Sequence, residues 1–131
     1  MTKTSITTNK LATPAGPFPA AATFQNLAFI SGQVGQDPAT GKLVGDSLTE
    51  QAHQALRNLF VATEAAGGNK DTIVKINCYL LTMDDFASFN EVYKTYFEPG
   101  QCPARTCVAV YQLPLGAKVE VEAIATRDTN V

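Results

Sequence analysis

An α+β fold, in which two helices cover one face of a single sheet, is predicted by three features of this 131-residue sequence. Strand-like segments alternate with two amphipathic helical segments, in the order three strands, helix, strand, helix and two strands. Apolar residues make up 45% of the chain, a normal share for a protein with a hydrophobic core. The length suits one domain, and residues 1–131 contain no repeat or linker.

The N-terminal half contains two clear strands and the first helix. Residues 20–24 and 27–31 predict strands, and the polar pair Gln25-Asn26 between them predicts a hairpin turn. Residues 37–41, Asp-Pro-Ala-Thr-Gly, predict a further turn, because proline fixes φ and glycine tolerates positive φ. Ser47 and Glu50 have capping-box spacing, and Gly67-Gly68 ends the helical pattern. The apolar stripe between them is Leu48, Ala52, Ala55, Leu56, Leu59, Phe60 and Thr63.

The C-terminal half contains the remaining helix and strands. Residues 73–81 are rich in β-branched and apolar side chains and predict a strand. A second helix is expected after a cap at Thr82 or Asp84 and is expected to end at Pro99-Gly100. Two final strands, residues 106–112 and 118–126, are expected on either side of the loop 113–117. The aromatic face of the second helix is expected in the core: Phe86, Phe89, Tyr93, Tyr96 and Phe97.

With both helices on one face of the sheet, the other face has no cover within the chain. Its apolar residues need a partner, which favours self-association without fixing the number of subunits.

Charge and composition argue against several classes of protein. The formal net charge is −2 and no two of the ten Lys and Arg residues are adjacent, which disfavours a nucleic-acid surface. No apolar run reaches the 18 residues of a membrane span. The Ser/Thr-rich start, free of acids until Asp37, resembles a transit peptide, but it lacks arginine and leads directly into a strand-like segment.

The three cysteines are odd in number and lack C-x-x-C spacing, so neither a disulfide framework nor a zinc site is expected. This pattern favours a reducing, cytoplasmic setting. Cys78 lies in an apolar strand and is expected to be a small core residue. No glycine-rich nucleotide motif occurs.

The last two strands hold the polar groups most suited to chemistry. Arg105 and Cys107 share a face if their strand is extended, and so do Glu120 and Glu122. In a hairpin with a five-residue loop, Glu120 would lie opposite Val110 and on the wrong face for Arg105. A shift of one residue would bring all four side chains together, and we predict this shifted register.

Two interpretations of a guanidinium beside a carboxylate stay open on these residues alone. One is a structural ion pair at a strand end. The other is a small-anion site, in which Arg105 grips a substrate carboxylate and a glutamate handles water.

Cys107 as a nucleophile would require a thiolate and a nearby base. The single histidine, His53, lies off the apolar stripe of the first helix and is expected to face solvent. A Cys-His dyad, a Ser-His-Asp triad and a histidine-rich metal site are therefore disfavoured.

Residues 103–108, Pro-Ala-Arg-Thr-Cys-Val, followed by residues 119–123, Val-Glu-Val-Glu-Ala, resemble the signature of the RidA family, also called the YjgF/YER057c/UK114 family. The resemblance extends from about Ile6 to Arg127. Further matching pieces occur in the same order: Gly16-Pro17, Ser31-Gly32-Gln33, residues 38–41, and Phe86 to Phe97 with Asn90.

The resemblance implies a chorismate-mutase-like (YjgF-type) fold with a mixed six-stranded sheet and two helices on one face. It implies a cytoplasmic homotrimer with clefts between subunits. Similar proteins are 2-iminobutanoate/2-iminopropanoate deaminases, which hydrolyse reactive enamines and imines such as 2-aminoacrylate and 2-aminocrotonate to 2-oxo acids and ammonia. The implied partner is a small 2-imino acid, with no membrane or nucleic acid, and no metal or organic cofactor is expected.

The resemblance also assigns residue roles. Arg105 would bind the substrate carboxylate and Glu120 would position or activate the attacking water. The backbone of Cys107 would help to hold the substrate. Ser31 and Gly32 would line the cleft, with support from Asn90.

Phe18 departs from the family pattern, which commonly has tyrosine after Gly16-Pro17. The ring of Phe18 can still line the cleft, but the phenol hydroxyl is lost, so a weaker activity or an altered substrate range is expected.

Two other functions enter with the resemblance. Some relatives are described as translation inhibitors with ribonuclease activity, which the negative charge and single histidine disfavour. The other alternative is a non-catalytic binding or chaperone-like trimer, against which the intact Arg105 and Glu120 argue.

Overall fold

The computed structural model describes residues 2–130, which form a mixed six-stranded sheet with two helices. The strands lie in the order β1-β2-β3-β6-β4-β5, and every neighbouring pair is antiparallel except β4 and β5. The predicted fold class is therefore confirmed. The strands are β1 (Thr4–Ile6), β2 (Ala21–Phe24), β3 (Leu27–Val34), β4 (Ile73–Leu80), β5 (Ala104–Ala109) and β6 (Val119–Thr126).

Helix α1 (Leu48–Ala65) packs on β3 and β6 and contacts α2 (Phe86–Tyr93). The predicted cap is present, since Ser47 Oγ accepts a hydrogen bond from the Glu50 amide at 3.1 Å. Along the predicted stripe, Ala52, Ala55, Leu56 and Leu59 are completely buried. Truncating one of these leucines to alanine would cost about 2–5 kcal/mol.

Helix α2 is shorter than predicted. It follows a 3-10 turn that Thr82 caps, with Thr82 Oγ1 accepting from the Asp84 amide at 3.1 Å. The helix ends after Tyr93 because the next bonds tighten to i−3 and the Thr95 hydroxyl also binds the Val92 carbonyl, at 2.7 Å. Phe97 nevertheless packs on Tyr93 with ring centroids 4.8 Å apart, so its predicted place in the core is confirmed.

Strands β5 and β6 do not form the predicted hairpin, because β4 lies between them. Segments β4, α2 and β5 make a strand–helix–strand unit, in which the helix allows the chain to return and add a parallel strand beside β4. Strand β6 then occupies the other side of β4, antiparallel to it. The last two strands are therefore neighbours in sequence and not in the sheet.

This strand order sends the polar residues of β5 towards the helices. Residues paired across neighbouring strands point to the same face of a sheet. Arg105 pairs with Ile76 and Cys107 pairs with Cys78, and both partners are completely buried under the helices. Arg105 and Cys107 thus lie on the helix-covered face.

The two glutamates of β6 lie on the opposite face. Glu120 pairs with Tyr79 and Glu122 pairs with Asn77, alternating with the buried Val121. The prediction that Arg105 and Glu120 share a face is therefore wrong, because it assumed that their strands were paired.

The second face of the sheet is uncovered within one chain, as predicted. Three of its apolar side chains are exposed: Phe24 (37%), Phe29 (44%) and Val108 (42%). Among residues 2–130, no helix is long and apolar enough to cross a membrane.

Candidate active site

The Arg105 side chain is held by helix α2. Its Nη2 donates a hydrogen bond to Asn90 Oδ1 at 2.8 Å. Its guanidinium carbon lies 4.7 Å from the ring centroid of Tyr93, 5.6 Å from that of Phe86 and 5.7 Å from that of Phe89. One hydrogen bond and three ring contacts therefore fix the cation near the start of β5, beside α2.

No carboxylate of residues 2–130 forms a salt bridge with Arg105. The interpretation of Arg105 as half of a structural ion pair is therefore wrong for residues 2–130. A guanidinium has five N–H donors, and one hydrogen bond to Asn90 leaves most of them available for a planar anion.

Cys107 lies two residues after Arg105 on the same face and is half-buried. Burial raises the pKa of its thiol, against a smaller opposing effect of the Arg105 charge. The thiol is therefore protonated near neutral pH and is poorly suited to act as a nucleophile.

Neither of the other two candidates for cysteine chemistry provides a base for Cys107. Cys78 is completely buried, with its pKa raised to about 12 mainly by burial, and is the core residue that was predicted. His53 is half-buried on α1, with Nδ1 2.6 Å from the Tyr96 hydroxyl, so the prediction that it faces solvent is wrong. This contact ties α1 to the segment after α2 and does not involve Cys107.

Glu120 lies in a cavity of about 120 Å³ between residues 7–20 and the sheet. Phe18, Gly32 and Leu115 are among its lining residues. A Cβ atom on Gly32 would lie 2.7 Å from Glu120 Oε2, so only glycine permits this approach of the carboxylate to the backbone.

The two glutamates of β6 differ in their environment. Burial raises the pKa of Glu120, and the neighbouring Glu122 adds to the effect. Glu122 accepts a hydrogen bond from Asn77 Nδ2 at 3.0 Å. Among residues 2–130, none donates a hydrogen bond to the Glu120 carboxylate, so its oxygens are available to accept a proton in the cavity.

Ser31 and Phe18 shape the same cavity region. The Ser31 hydroxyl donates to the Pro19 carbonyl at 2.8 Å and so fastens residues 7–20 to β3. Phe18 is 47% exposed and packs against Gly16. Gly32 lies where the β3–β6 register shifts between Ile30 and Gln33.

Within one chain the predicted site residues form two groups. The first, which we call the Arg105 half-site, is Arg105, Cys107 and Asn90. The second, the Glu120 half-site, is Glu120, Gly32, Ser31 and Phe18 and lies at the uncovered face. Phe86, Phe89 and Tyr93 were expected only in the core, and their contact with Arg105 was missed. The available signal for this contact was the helical spacing that they share with Asn90, the residue that binds Arg105.

Among residues 2–130, no group of three or more His, Cys, Asp or Glu side chains is arranged to hold a metal ion.

The fold and the two half-sites define a small α+β protein that presents an unneutralised guanidinium and a separate, half-buried carboxylate. A family model described as Endoribonuclease L-PSP matches residues 7–127. The chain belongs to this family, the RidA (YjgF) family that its sequence resembled.

Similar proteins span nearly the whole chain. The mouse protein named 2-iminobutanoate/2-iminopropanoate deaminase is 44% identical, over 93% of this chain and 90% of its own. The crystal structure of YEO7 from yeast matches with a TM-score of 0.92 and 38% identity, over 97% of this chain and 100% of its own. That of E. coli TdcF with bound serine matches with a TM-score of 0.88 and 35% identity, over 95% of this chain and 99% of its own.

Proposed function

We propose that this protein is a 2-imino acid deaminase, which hydrolyses 2-iminobutanoate and 2-iminopropanoate to the 2-oxo acids and ammonia. The observation that carries the proposal is the Arg105 guanidinium, which is oriented by α2 and bears no counter-charge from residues 2–130. Such a group suits the carboxylate that these substrates share. Mammalian relatives with this name are 39–44% identical to the chain.

Arg105 would bind the substrate carboxylate through a bidentate hydrogen bond. The backbone of Cys107 would help to hold the substrate. Water adds to the C=N carbon, the C–N bond of the resulting carbinolamine breaks, and ammonia leaves. Glu120 would pass a proton from the attacking water to the imine nitrogen, and would then transfer the proton of the new hydroxyl to the amino group as the C–N bond breaks and the C=O bond forms. Because imines hydrolyse in water unaided, the protein needs mainly to orient the substrate and the water.

A complete site would require a second copy of the chain. Arg105 and Glu120 lie on opposite faces of the sheet, so one subunit would supply the Arg105 half-site and its neighbour the Glu120 half-site. Two different surfaces that meet head to tail form a closed ring when the rotation between subunits permits it, and from the family resemblance we propose a homotrimer. The exposed Phe24 and Phe29 of the uncovered face fit burial in this assembly.

We further propose a cytoplasmic role in removing reactive imines released by dehydratases that act on serine and threonine. The three cysteines are free, as suits a reducing compartment.

The test couples a threonine dehydratase to the protein and follows 2-oxobutyrate formation. Losing a buried arginine–carboxylate contact costs roughly 2–5 kcal/mol, so Arg105→Ala should lower kcat/KM roughly 30- to 3000-fold. The matched control is Arg57→Ala, which removes an exposed arginine of α1 and should leave the rate unchanged.

Two outcomes would contradict the proposal. A loss below about threefold for Arg105→Ala would remove Arg105 from the site. Binding of 2-oxo acids without turnover would select the non-catalytic alternative.

The family description makes RNA cleavage the second candidate function. It would be selected by salt-sensitive RNA cleavage that 2-oxo acids do not inhibit, since phosphate contacts weaken as salt rises.

A further inference from the structure

Helix α2 presents one continuous face to Arg105. Phe86, Phe89, Asn90 and Tyr93 follow the helical spacing i, i+3, i+4 and i+7, and all four contact the guanidinium. Three of the four contacts are made by aromatic rings. Packing alone would require only apolar side chains here, whereas rings around a cation provide a specific interaction.

We propose that Phe86, Phe89 and Tyr93, which we call the Arg105 cage, are positioning residues for recognition of the substrate carboxylate. This inference rests on the proposed function, because it assigns the cage to the same anion site. The cage residues touch Arg105 and would act on the substrate only through it.

The cage explains how a cation is held without being neutralised. A ring face attracts a guanidinium through its quadrupole and is most effective where water is excluded. Unlike a carboxylate, a ring carries no negative charge and offers no strong acceptor to compete for the N–H groups. Asn90 takes one donor of Arg105 through a neutral amide oxygen. The charge and the other donors therefore remain for a ligand.

The role of Tyr93 belongs to its ring and not to its hydroxyl. It is buried and has no hydrogen-bond partner among residues 2–130. A buried hydroxyl without a partner is unfavourable, so the hydroxyl of Tyr93 does not explain why an aromatic residue lies at this position. The ring lies 4.7 Å from the guanidinium carbon, the shortest of the three distances, and it is the part of Tyr93 that we assign to Arg105.

The cage also requires arginine in particular. A guanidinium is planar, stacks on rings and binds a carboxylate with two parallel hydrogen bonds, whereas an ammonium does neither in the same way. Arg105→Lys keeps the charge and removes the group that the cage fits. It is therefore the background in which the cage should lose its effect.

The experiment is a double-mutant cycle between Phe86→Leu and Arg105→Lys. Phe86 is half-buried, so leucine removes the ring at a moderate cost in packing. We expect Phe86→Leu to raise KM and the Kd for 2-oxobutyrate roughly three- to tenfold, with kcat within about twofold. In the Arg105→Lys background the same change should alter Kd less than about twofold.

Two comparisons separate positioning from general packing. Phe60→Leu is the matched control, because Phe60 is also half-buried and contacts Tyr96 and Phe97 but not Arg105. It should lower Tm and leave Kd unchanged. Tyr93→Leu should weaken binding, and the conservative Tyr93→Phe should restore it.

Each remaining result has one meaning. Equal losses from Phe86→Leu in both backgrounds, or equal losses from Phe60→Leu and Phe86→Leu, would overturn the cage and leave the proposed function standing. Weak binding by Tyr93→Phe would assign the role to the hydroxyl and also overturn it. A wild-type protein that neither binds 2-oxobutyrate nor hydrolyses imines would overturn the proposed function, and the cage with it.

Discussion

The Arg105 and Glu120 half-sites are built in opposite ways. Arg105 lies at an edge strand, where α2 surrounds it with three rings and a neutral amide. Glu120 lies in an inner strand, against the Gly32 backbone and beside a second carboxylate. The cation is held by attraction that leaves its charge unpaired. The anion is held where burial and a like charge oppose its ionisation.

Placement on opposite faces of the sheet keeps Arg105 and Glu120 from pairing with each other within one chain. Had Arg105 and Glu120 shared a face, as the hairpin register predicted, they would have formed an ion pair. An adjacent arginine would lower the pKa of Glu120 and weaken it as a base, and the carboxylate would occupy the arginine donors. Separation allows burial to raise the pKa of Glu120 instead. In the proposed assembly, groups kept apart within one chain would be combined by two chains.

The largest expected effect follows from replacing Glu120, the proposed base. Because proton transfer by a positioned group contributes roughly 100- to 10,000-fold, Glu120→Gln should lower kcat by a factor in that range. Binding of 2-oxobutyrate should change less, since the carboxylate contact is proposed for Arg105. Single-turnover rates and calorimetry measure the two quantities. A normal kcat in this variant would remove Glu120 from the mechanism.

The same variant has a pH signature. A carboxyl whose pKa is raised by folding adds stability at low pH, which is lost as pH rises through its folded pKa. Glutamine cannot ionise, so the Tm of Glu120→Gln should match the wild type at a pH below the usual glutamate pKa of about 4.3 and should exceed it as the pH rises through the raised pKa. A constant Tm difference across this range would show that ionisation of Glu120 does not oppose folding.

The next effect tests whether the half-sites combine between subunits. Arg105→Ala and Glu120→Gln are each expected to be nearly inactive, but a mixed assembly contains interfaces in which both halves are intact. For random mixing in a head-to-tail ring, about a quarter of the sites would be restored. Unfolding and refolding the two variants together, with each variant alone as control, measures the recovery. No recovery in proven mixed oligomers would indicate a site within one chain.

A smaller effect is expected at the contact between Gly32 and Glu120. Gly32→Ala places a Cβ where it would lie 2.7 Å from Oε2, and the flexible carboxylate must move away. We expect roughly tenfold lower kcat, as suits a displaced catalytic group, with little change in Tm. Gly45→Ala is a matched control, because its Cβ would meet the exposed Glu50 carboxylate at the same kind of distance. Equal kcat in both variants would mean that the position of Glu120 is not critical.

The smallest effect is expected at Phe18, whose ring is half exposed at the Glu120 half-site. Phe18→Tyr adds a hydroxyl without removing the ring, and a single partly exposed hydrogen bond contributes about 1 kcal/mol. The rate on at least one imine should therefore change by about fivefold or less. Initial rates with 2-iminopropanoate, 2-iminobutanoate and the 2-imino acid that corresponds to leucine check this. An unchanged profile would make the hydroxyl dispensable.

Local patterns predicted local structure well. The Ser47–Glu50 cap and the apolar stripe of α1 are set by contacts within a few residues, and both are confirmed. The end of α2 was misplaced because Thr95 competes for a backbone carbonyl, an effect that aromatic periodicity does not reveal. The site residues were identified through the family motif, and their roles stay predictions.

The sequence by itself determined the α+β class, the uncovered sheet face, the family and the identity of the polar groups. Only the tertiary structure decided that β4 separates β5 from β6, and with it the faces of Arg105 and Glu120. The alternation of side chains along a strand fixes which residues share a face, but the strand order fixes which face that is. Strand order depends on pairing between distant segments. Here the helix between β4 and β5 allows β5 to pair in parallel with β4, and β6 pairs with the other side of β4 instead of forming the expected hairpin with β5.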